Sequence, residues 1–363
     1  MSKSKIFTGQ PIFTQLLQLI PRALITKCQI ANRSDYYVKT FKSYDHLVSM
    51  LFCVFEKCVS LREVSTGMLA WQGRLNHLGI KSYPKKSTLA DANMSRPVGF
   101  FEDLYHDLVQ MHLDPCLPDS RSEAKIDERL LLMDSTTIDL FSDVMGGAGI
   151  SKENGKRKGG VKVHMVVNPI HKIPAVVYMS EAKENDRIFM DKFSAPKGSI
   201  LVFDKGYFKF SQWQRRTEQG IYWVTRLSKV ASYQVLEENF INEKQKKAGV
   251  VLDQKILLGS GTTTGGEIIL ARRVKYFDAT KSRYFDFVTN HDKFSPSHIA
   301  DLYKKRWHIE LIFKSLKQNY QLKYFLGDNA VTHRQTTCFL LPPKRARITY
   351  PNSVGIMYDI EKA

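Results

Sequence analysis

Between Leu130 and Leu140 the chain reads Leu-Leu-Leu-Met-Asp134-Ser-Thr-Thr-Ile-Asp-Leu, an aspartate set inside apolar and β-branched residues. That content argues for a buried strand. Strand alternation puts Leu132, Asp134, Thr136 and Ile138 on one face. A carboxylate therefore sits mid-strand, where an unpaired charge is costly. A second apolar run, Ser199-Ile-Leu-Val-Phe-Asp204-Lys-Gly-Tyr207, ends on Asp204 and turns at Gly206. Carboxylates at the C-terminal ends of strands are common in the ligand crevices of α/β sheets. Taken singly, each aspartate also reads as a cap or turn residue.

A third acidic residue comes late. Asp301-Leu-Tyr-Lys-Lys-Arg-Trp-His-Ile-Glu-Leu-Ile-Phe-Lys-Ser-Leu-Lys317 has helical periodicity. At 100° per residue, Tyr303, Arg306, Glu310 and Lys317 fall within about 60° of one another. Leu302, Ile309, Ile312, Phe313 and Leu316 form the adjoining apolar face. The spacing predicts one continuous helix that buries this face and flanks a carboxylate with cations and a phenol. On its own it also reads as a surface helix with ordinary salt bridges. Together with Asp134 and Asp204, Glu310 supplies three hard oxygen ligands, the set that Mg²⁺ or Mn²⁺ prefers.

At these residues the chain resembles the DDE transposases of the IS-four insertion-sequence group. Their third acidic residue lies in a Tyr-x2-Arg-x3-Glu-x6-Lys signature, matched here by Tyr303, Arg306, Glu310 and Lys317. Asp134-Ser-Thr-Thr, Gly159-Gly-Val-Lys162-Val-His164 and Asp204-Lys-Gly-Tyr207 are the other matches, over residues 125–328. The resemblance implies an α/β architecture: an RNase H-like catalytic core with an inserted β subdomain, preceded by a helical N-terminal DNA-binding domain. It implies two Mg²⁺ (or Mn²⁺) ions held by Asp134, Asp204 and Glu310, which activate a nucleophile and stabilise the leaving oxygen at phosphorus. Water would first nick a transposon end, and the released 3′-OH would then attack DNA. Arg306 and Lys317 would clamp phosphates, and Tyr303 would hydrogen-bond one. In relatives this signature goes with handling a hairpinned end. Partners implied are double-stranded DNA, both transposon ends and target, and a second copy of the chain as a homodimer on DNA. Arg226 resembles a basic position near DNA. Trp307 either stacks on an extruded base or fills the core.

Composition agrees with a nucleic-acid partner. Lys and Arg number 54 against 36 acidic residues, a net charge of +18. Residues 1–99 hold 14 basic and 5 acidic side chains, and such concentration favours phosphate contact. The five cysteines (Cys28, Cys53, Cys58, Cys116, Cys338) lack zinc-finger spacing and fit a reducing cytoplasm, which the resemblance implies is bacterial, with Cys53 and Cys58 as a core pair on one helix. No segment approaches the ~20 apolar residues of a membrane span. Gln10, Gln15, Gln18 and Pro21 break up the N-terminal apolar run, against a signal peptide.

Periodicity predicts helices within residues 1–115, around Thr14–Leu24, Asp45–Lys57 and Leu61–Leu69. Ser87 is expected to cap a short helix preceded by Lys85 and Lys86. It reads either as a recognition helix for a major groove or as part of a bundle with a solvated basic loop. Residues 116–127 read as a linker, and strands and helices alternate from 128 to 228 as the first part of the core. Lys156-Arg-Lys158-Gly-Gly-Val-Lys162 reads as a backbone clamp on DNA or a hairpin tip. His164 shares a face with Lys162 and is expected as a hydrogen-bonded core histidine. Val250–Leu258, Glu267–Tyr276 and Arg283–Thr289 form the expected β insertion at 229–292, and residues 293–328 return to the core with the Glu310 helix. Family members continue past Phe-Leu-Gly with a long apolar helix. Residues 329–363 lack that stripe and carry Pro342-Pro343. A poorly ordered tail from a truncated or frameshifted end is expected. Two other readings follow: a defective copy that binds without cutting, and an RNase H-like nuclease such as a junction resolvase.

Overall fold

The computed structural model describes residues 12–113, 129–139, 150–153, 156–170, 174–181, 183–207, 209–259 and 268–319. The expected linker, the tail from 329, and Cys116 and Cys338 lie outside them.

The N-terminal part is helical: α1 (Ile12–Gln18), α2 (Arg22–Ala31), α3 (Ser43–Phe55), α4 (Leu61–Ala70), a 3₁₀ segment (Gln72–Leu78), α5 (Lys86–Ser95) and α6 (Val98–Leu113). The single stretch expected over 14–24 is two helices, because Pro21 in extended backbone (φ −61°, ψ 131°) stands at the N-cap of α2. Ser87 falls inside the first turn of α5, and Lys85 takes the cap without a side-chain bond. Cys58 lies beyond the end of α3, so it does not share a helix with Cys53, whose Sγ donates to the Cys58 carbonyl at 3.5 Å. α4 starts at Ser60, whose Oγ accepts from Glu63 N at 3.2 Å, while the Glu63 carboxylate accepts from Val59 N at 2.8 Å. Ser60→Ala is expected to cost about 1 kcal/mol, read as a lowered urea midpoint; an unchanged midpoint would show that this cap contributes nothing. Two apolar clusters hold the helices, one on Phe52, Val64, Met68 and Leu89, the other on Ile25, Leu47, Phe100 and Leu104. Tyr105 of α6 donates to the Pro174 carbonyl at 2.9 Å, tying the helices to the sheet.

Ten strands among the described residues form one sheet: β1 (Leu130–Asp139), β2 (Ile150–Glu153), β3 (Lys156–Val167), β4 (Pro174–Glu181), β5 (Ile200–Phe203), β6 (Tyr222–Arg226), β7 (Tyr233–Glu238), β8 (Val250–Leu258), β9 (Ile269–Asp278) and β10 (Arg283–Thr289). β1 pairs antiparallel with β3, and β3 with β4. β1 runs parallel to β5, and β5 to β6. The 229–292 strands do not stand apart. β10 pairs antiparallel with β6, so β10, β9, β8 and β7 extend the same sheet.

Alternation divides two cores. Leu130, Leu132, Ile200, Val202 and Val224 face α10 (Pro296–Lys305) and α11 (Trp307–Asn319), meeting Ile299, Leu302, Ile309 and Phe313. Leu131, Met133, Leu201 and Phe203 face α7 (Asp186–Lys192) and α8 (Phe210–Glu218), meeting Phe189, Met190 and Trp213. Trp213 and Trp223 are fully buried there, their ring centroids 4.2 Å apart. A five-residue helix, α9 (Glu243–Lys247), sits between β7 and β8. No described helix is long and apolar enough to cross a membrane.

Candidate active site

The β1–β5 ladder brings two carboxylates together. Met133 and Phe203 are partners in register, so Asp134 and Asp204 follow at the same level of neighbouring parallel strands. Neighbouring strands lie about 4.8 Å apart. Both aspartates come one residue after side chains of the α7–α8 core, which places them toward the face covered by α10 and α11. That is the face expected for Asp134.

Glu310 arrives from the same side, but not on one continuous helix. Arg306 separates α10 from α11, with Tyr303 on the first and Glu310 and Lys317 on the second. Arg306 keeps right-handed backbone (φ −53°, ψ −30°), and the hydrogen bonds tighten around it: Arg306 N to Tyr303 O and Ile309 N to Arg306 O, each 3.1 Å. These are i→i+3 bonds of the 3₁₀ kind, formed with neither Gly nor Pro at the break.

Two guanidinium groups neutralise the carboxylates. Arg306 Nη1 donates to Asp134 Oδ2 at 2.6 Å, and its Nη2 donates to Glu310 Oε1. Arg226 Nη2 donates to Asp204 Oδ1 at 2.7 Å, and Tyr303 OH approaches the same oxygen at 3.4 Å. Lys317 Nζ donates to the Thr137 carbonyl at 2.9 Å, anchoring α11 to β1. Burial pushes Asp134 up to about 6, against the opposing pull of Arg306 and of the Ser135 amide, with Glu310 and Asp204 adding to the rise. Burial acts on Asp204 in the same direction, but the hydrogen bond and charge of Arg226 outweigh it and hold the group below its ordinary value. The Nε–H groups of Arg226 and Arg306 are both buried and have no acceptor among the described residues. A buried donor of this kind is ordinarily met by an ordered water or an anion.

Whether this set suits a divalent ion turns on donor type and position. Three carboxylates are the hard oxygen donors of a Mg²⁺ or Mn²⁺ site. As they stand, no three His, Cys, Asp or Glu side chains among the described residues are gathered into a metal-holding group. Arg306 lies between two of them and supplies the positive charge. The donors fit by chemistry, and Arg306 must yield for them to converge.

Behind Asp134 lies a fourth carboxylate that the sequence reading missed. Asp186 Oδ1 accepts from Ser135 Oγ and pairs with Lys162 Nζ, both at 3.2 Å. A Cβ built on Gly206 would lie 3.4 Å from Asp186 Oδ2 and 3.9 Å from Asp204 Oδ2, so the two carboxylates flank the same glycine. His164 is a buried, hydrogen-bonded core residue, as expected. Its Nδ1 meets Tyr207 OH at 3.0 Å and its Nε2 meets Ser180 Oγ at 3.1 Å, and burial lowers it to about 4. The only local signal for Asp186 was its place after Asn185, which caps α7 through the Arg187 amide; that reads as ordinary helix capping.

A cleft of about 200 Å³ opens beside the carboxylates, lined by Arg226, Lys281, Arg283, Tyr303, Arg306 and Trp307 among others. Trp307 is not a core residue: it is 55% exposed, with Lys281 Nζ 5.5 Å from its ring centre. Lys85 and Lys86 are exposed on the helical part, at the N-terminal end of α5. Lys162 faces Asp186 and donates to the Glu184 carbonyl at 2.7 Å. The side chains of the Lys156–Lys158 run lie outside the described residues.

Three carboxylates thus meet on one face of a mixed sheet, from two parallel strands and a late helix. The chain belongs to the transposase DDE domain family, whose model matches residues 125–340. Residues 8–81 match a second family, a domain of unknown function (DUF4372). Similar proteins include the y4zB transposase of Sinorhizobium fredii, 32% identical over 68% of this chain and 66% of that protein. The transposase of insertion sequence element IS5377 from Geobacillus stearothermophilus is 24% identical over 66% of this chain and 61% of its own length. That of element IS4SA from Synechocystis is 25% identical over 70% of this chain and 69% of its own. The chain thus spans just under two thirds of the first two relatives. Among solved structures, a piggyBac transposase synaptic complex with hairpin DNA gives a TM-score of 0.36 at 9% identity, covering 90% of this chain and 72% of that one.

Proposed function

We propose that the chain is a DNA transposase that nicks transposon ends and joins the released 3′-OH to target DNA. In this reading residues 1–115 bind DNA, 128–228 and 293–328 form an RNase H-like core, and 229–292 are an insertion that lengthens its sheet. The antiparallel β1–β3–β4 set followed by parallel β5 and β6 supports that core. Resemblance to the IS-four group rests on the Tyr303, Arg306, Glu310 and Lys317 pattern.

The observation that carries the proposal is the pairing of three carboxylates with two guanidiniums whose Nε–H groups lack acceptors among the described residues. Asp134, Asp204 and Glu310 would hold two Mg²⁺ (or Mn²⁺) ions, which would supply Lewis-acid activation for in-line attack on phosphorus. Arg306, released from Asp134 and Glu310, offers a planar fork to a phosphate next to the scissile bond. Arg226 does the same from the Asp204 side. Tyr303 donates a hydrogen bond, and Lys317 adds a point charge at the β1 edge. The cleft beside them, with Trp307 and Lys281 at its rim, has the aromatic and cationic walls that suit an unstacked base. Double-stranded DNA is the substrate, a second copy of the chain is the partner on paired ends, and the bacterial cytoplasm is the compartment.

The test is Mg²⁺- or Mn²⁺-dependent nicking of a duplex carrying the element's own ends, with Glu310→Gln alongside. Nicking that disappears in the variant, while binding persists, supports the assignment. Binding without nicking by the unaltered chain would make it a defective copy, and nicking by Glu310→Gln at the unaltered rate would remove Glu310 from the site.

A further inference from the structure

The connection from α2 to α3 displays two aromatic rings in solvent. Tyr36 is 65% exposed and Tyr37 88%, with ring centroids 4.1 Å apart. The backbone holding them is unusual. Arg33 (φ 46°) and Tyr37 (φ 58°) are both left-handed, a conformation that side-chain-bearing residues avoid. Such residues persist where their surroundings over-determine them, and they gather at functional sites.

Those surroundings are a buried polar knot. The Arg96 guanidinium, 5% exposed, donates to the Ser34 carbonyl at 2.7 Å and to the Phe41 carbonyl, stapling both ends of the segment. It also pairs with Asp35 at 3.2 Å, and Asp35 accepts from Ser43 N at 2.7 Å and Ser43 Oγ at 2.8 Å. Asp35 is the one carboxylate between residues 33 and 42, and the knot engages it. Arg33 and Lys39 remain exposed beside the rings. Arg96 follows the C-terminal end of α5, so the tip and the exposed Lys85 and Lys86 lie at opposite ends of a helix about 15 Å long.

The exposed Asp103 carboxylate near Arg33 is engaged by Asn32 Nδ2 at 2.7 Å. Exposed rings on a fixed platform, with exposed cations on either side, suit nucleic acid: cations take phosphates, and ring faces take bases or sugars. We propose that this tip is a DNA-contacting element of the helical region. Tyr36 and Tyr37 lie against the duplex as an aromatic wedge, and Arg33 and Lys39 hold the flanking phosphates. The assignment rests on the transposase reading above and adds the place where the helical region touches DNA.

The full chain is titrated, by fluorescence anisotropy over a series of salt concentrations, with a random-sequence duplex and with one carrying the element's ends. The Tyr36→Ala/Tyr37→Ala double variant is expected to bind about tenfold more weakly at every salt concentration. Its salt slope stays unchanged, because ring contacts release no counterions. Arg33→Gln and Lys39→Gln each lower the slope by about one, while Tyr37→Phe binds like the unaltered chain. In the unaltered chain, nitration of both tyrosines by tetranitromethane is blocked by saturating duplex. Equal nitration with and without duplex overturns the proposal, as does a double variant that binds normally. A double variant with altered self-association in sedimentation and normal DNA affinity makes the tip a protein contact instead. An unaltered chain that binds neither duplex sinks the transposase reading itself.

Discussion

Asp134→Asn is expected to lose DNA cleavage on the order of 10³-fold or more, and to be more stable than the unaltered protein at pH 8. The first follows from the proposed role of the carboxylate in holding metal, and the second from its burial. Burial raises the folded Asp134 from 3.8 to about 6 despite the cation at 2.6 Å. An acid with a raised folded value stabilises the fold fully when protonated, below the unfolded value. That contribution is lost as pH rises through the folded value, here between 3.8 and about 6. At pH 8 the ionised carboxylate therefore costs about 3 kcal/mol relative to a neutral group. Asparagine is neutral at every pH, so the gain is largest at pH 8 and vanishes near pH 4. Urea midpoints at both values, without divalent ions, measure it. An asparagine variant less stable at pH 8 would show that the Arg306 pair outweighs burial.

Arg306→Ala should move stability the other way. Its guanidinium is 13% exposed and bridges Asp134 and Glu310, whose side chains are 17% and 30% exposed. Removing one partner of a buried ion pair costs roughly 3–5 kcal/mol. Here it also leaves two like charges facing each other. The loss is expected to be greatest at pH 8 and smaller near pH 5, where Asp134 takes up a proton. Added Mg²⁺ should stabilise the alanine variant more than the unaltered protein, because a cation that binds only the folded state stabilises it by mass action and no guanidinium competes for the carboxylates. Equal Mg²⁺ effects on both proteins would count against a divalent site at these residues. On the proposed role of Arg306 as a phosphate fork, cleavage is also expected to be lost in the variant whatever its stability.

Much of this arrangement was legible because it follows from short-range periodicity. Alternation around Asp134, the apolar run ending at Asp204, and the Ile309 and Phe313 stripe each identify a buried face without reference to the rest of the chain. The break at Arg306 was not legible, since no Gly, Pro or cap marks it and only the hydrogen-bond pattern changes. Local periodicity likewise gives strands but not their partners, so the pairing of β10 with β6, which merges residues 229–292 into the main sheet, was hidden. β7 escaped because all six of its residues are exposed and no apolar face marks it. Trp307 lies roughly 160° from the centre of the apolar stripe at 100° per residue, so its exposure was legible from the periodicity and the core reading overlooked it. Asp186 was masked by its second role in the first turn of a capped helix.

Asp134 and Asp204 are neighbours through a backbone ladder, not through the chain that joins them, and this governs which length changes the protein can survive. Closing a loop becomes harder only with the logarithm of its length. Segments inserted between β1 and β5, or between β6 and α10, can therefore grow by whole domains and leave the two aspartates where they are. Losing a single residue between Leu130 and Met133 would turn Asp134 toward the α7–α8 core, because side chains alternate with period two. Drift in such a lineage should thus accumulate as long additions at the loops and almost never as single-residue slips within four positions of β1.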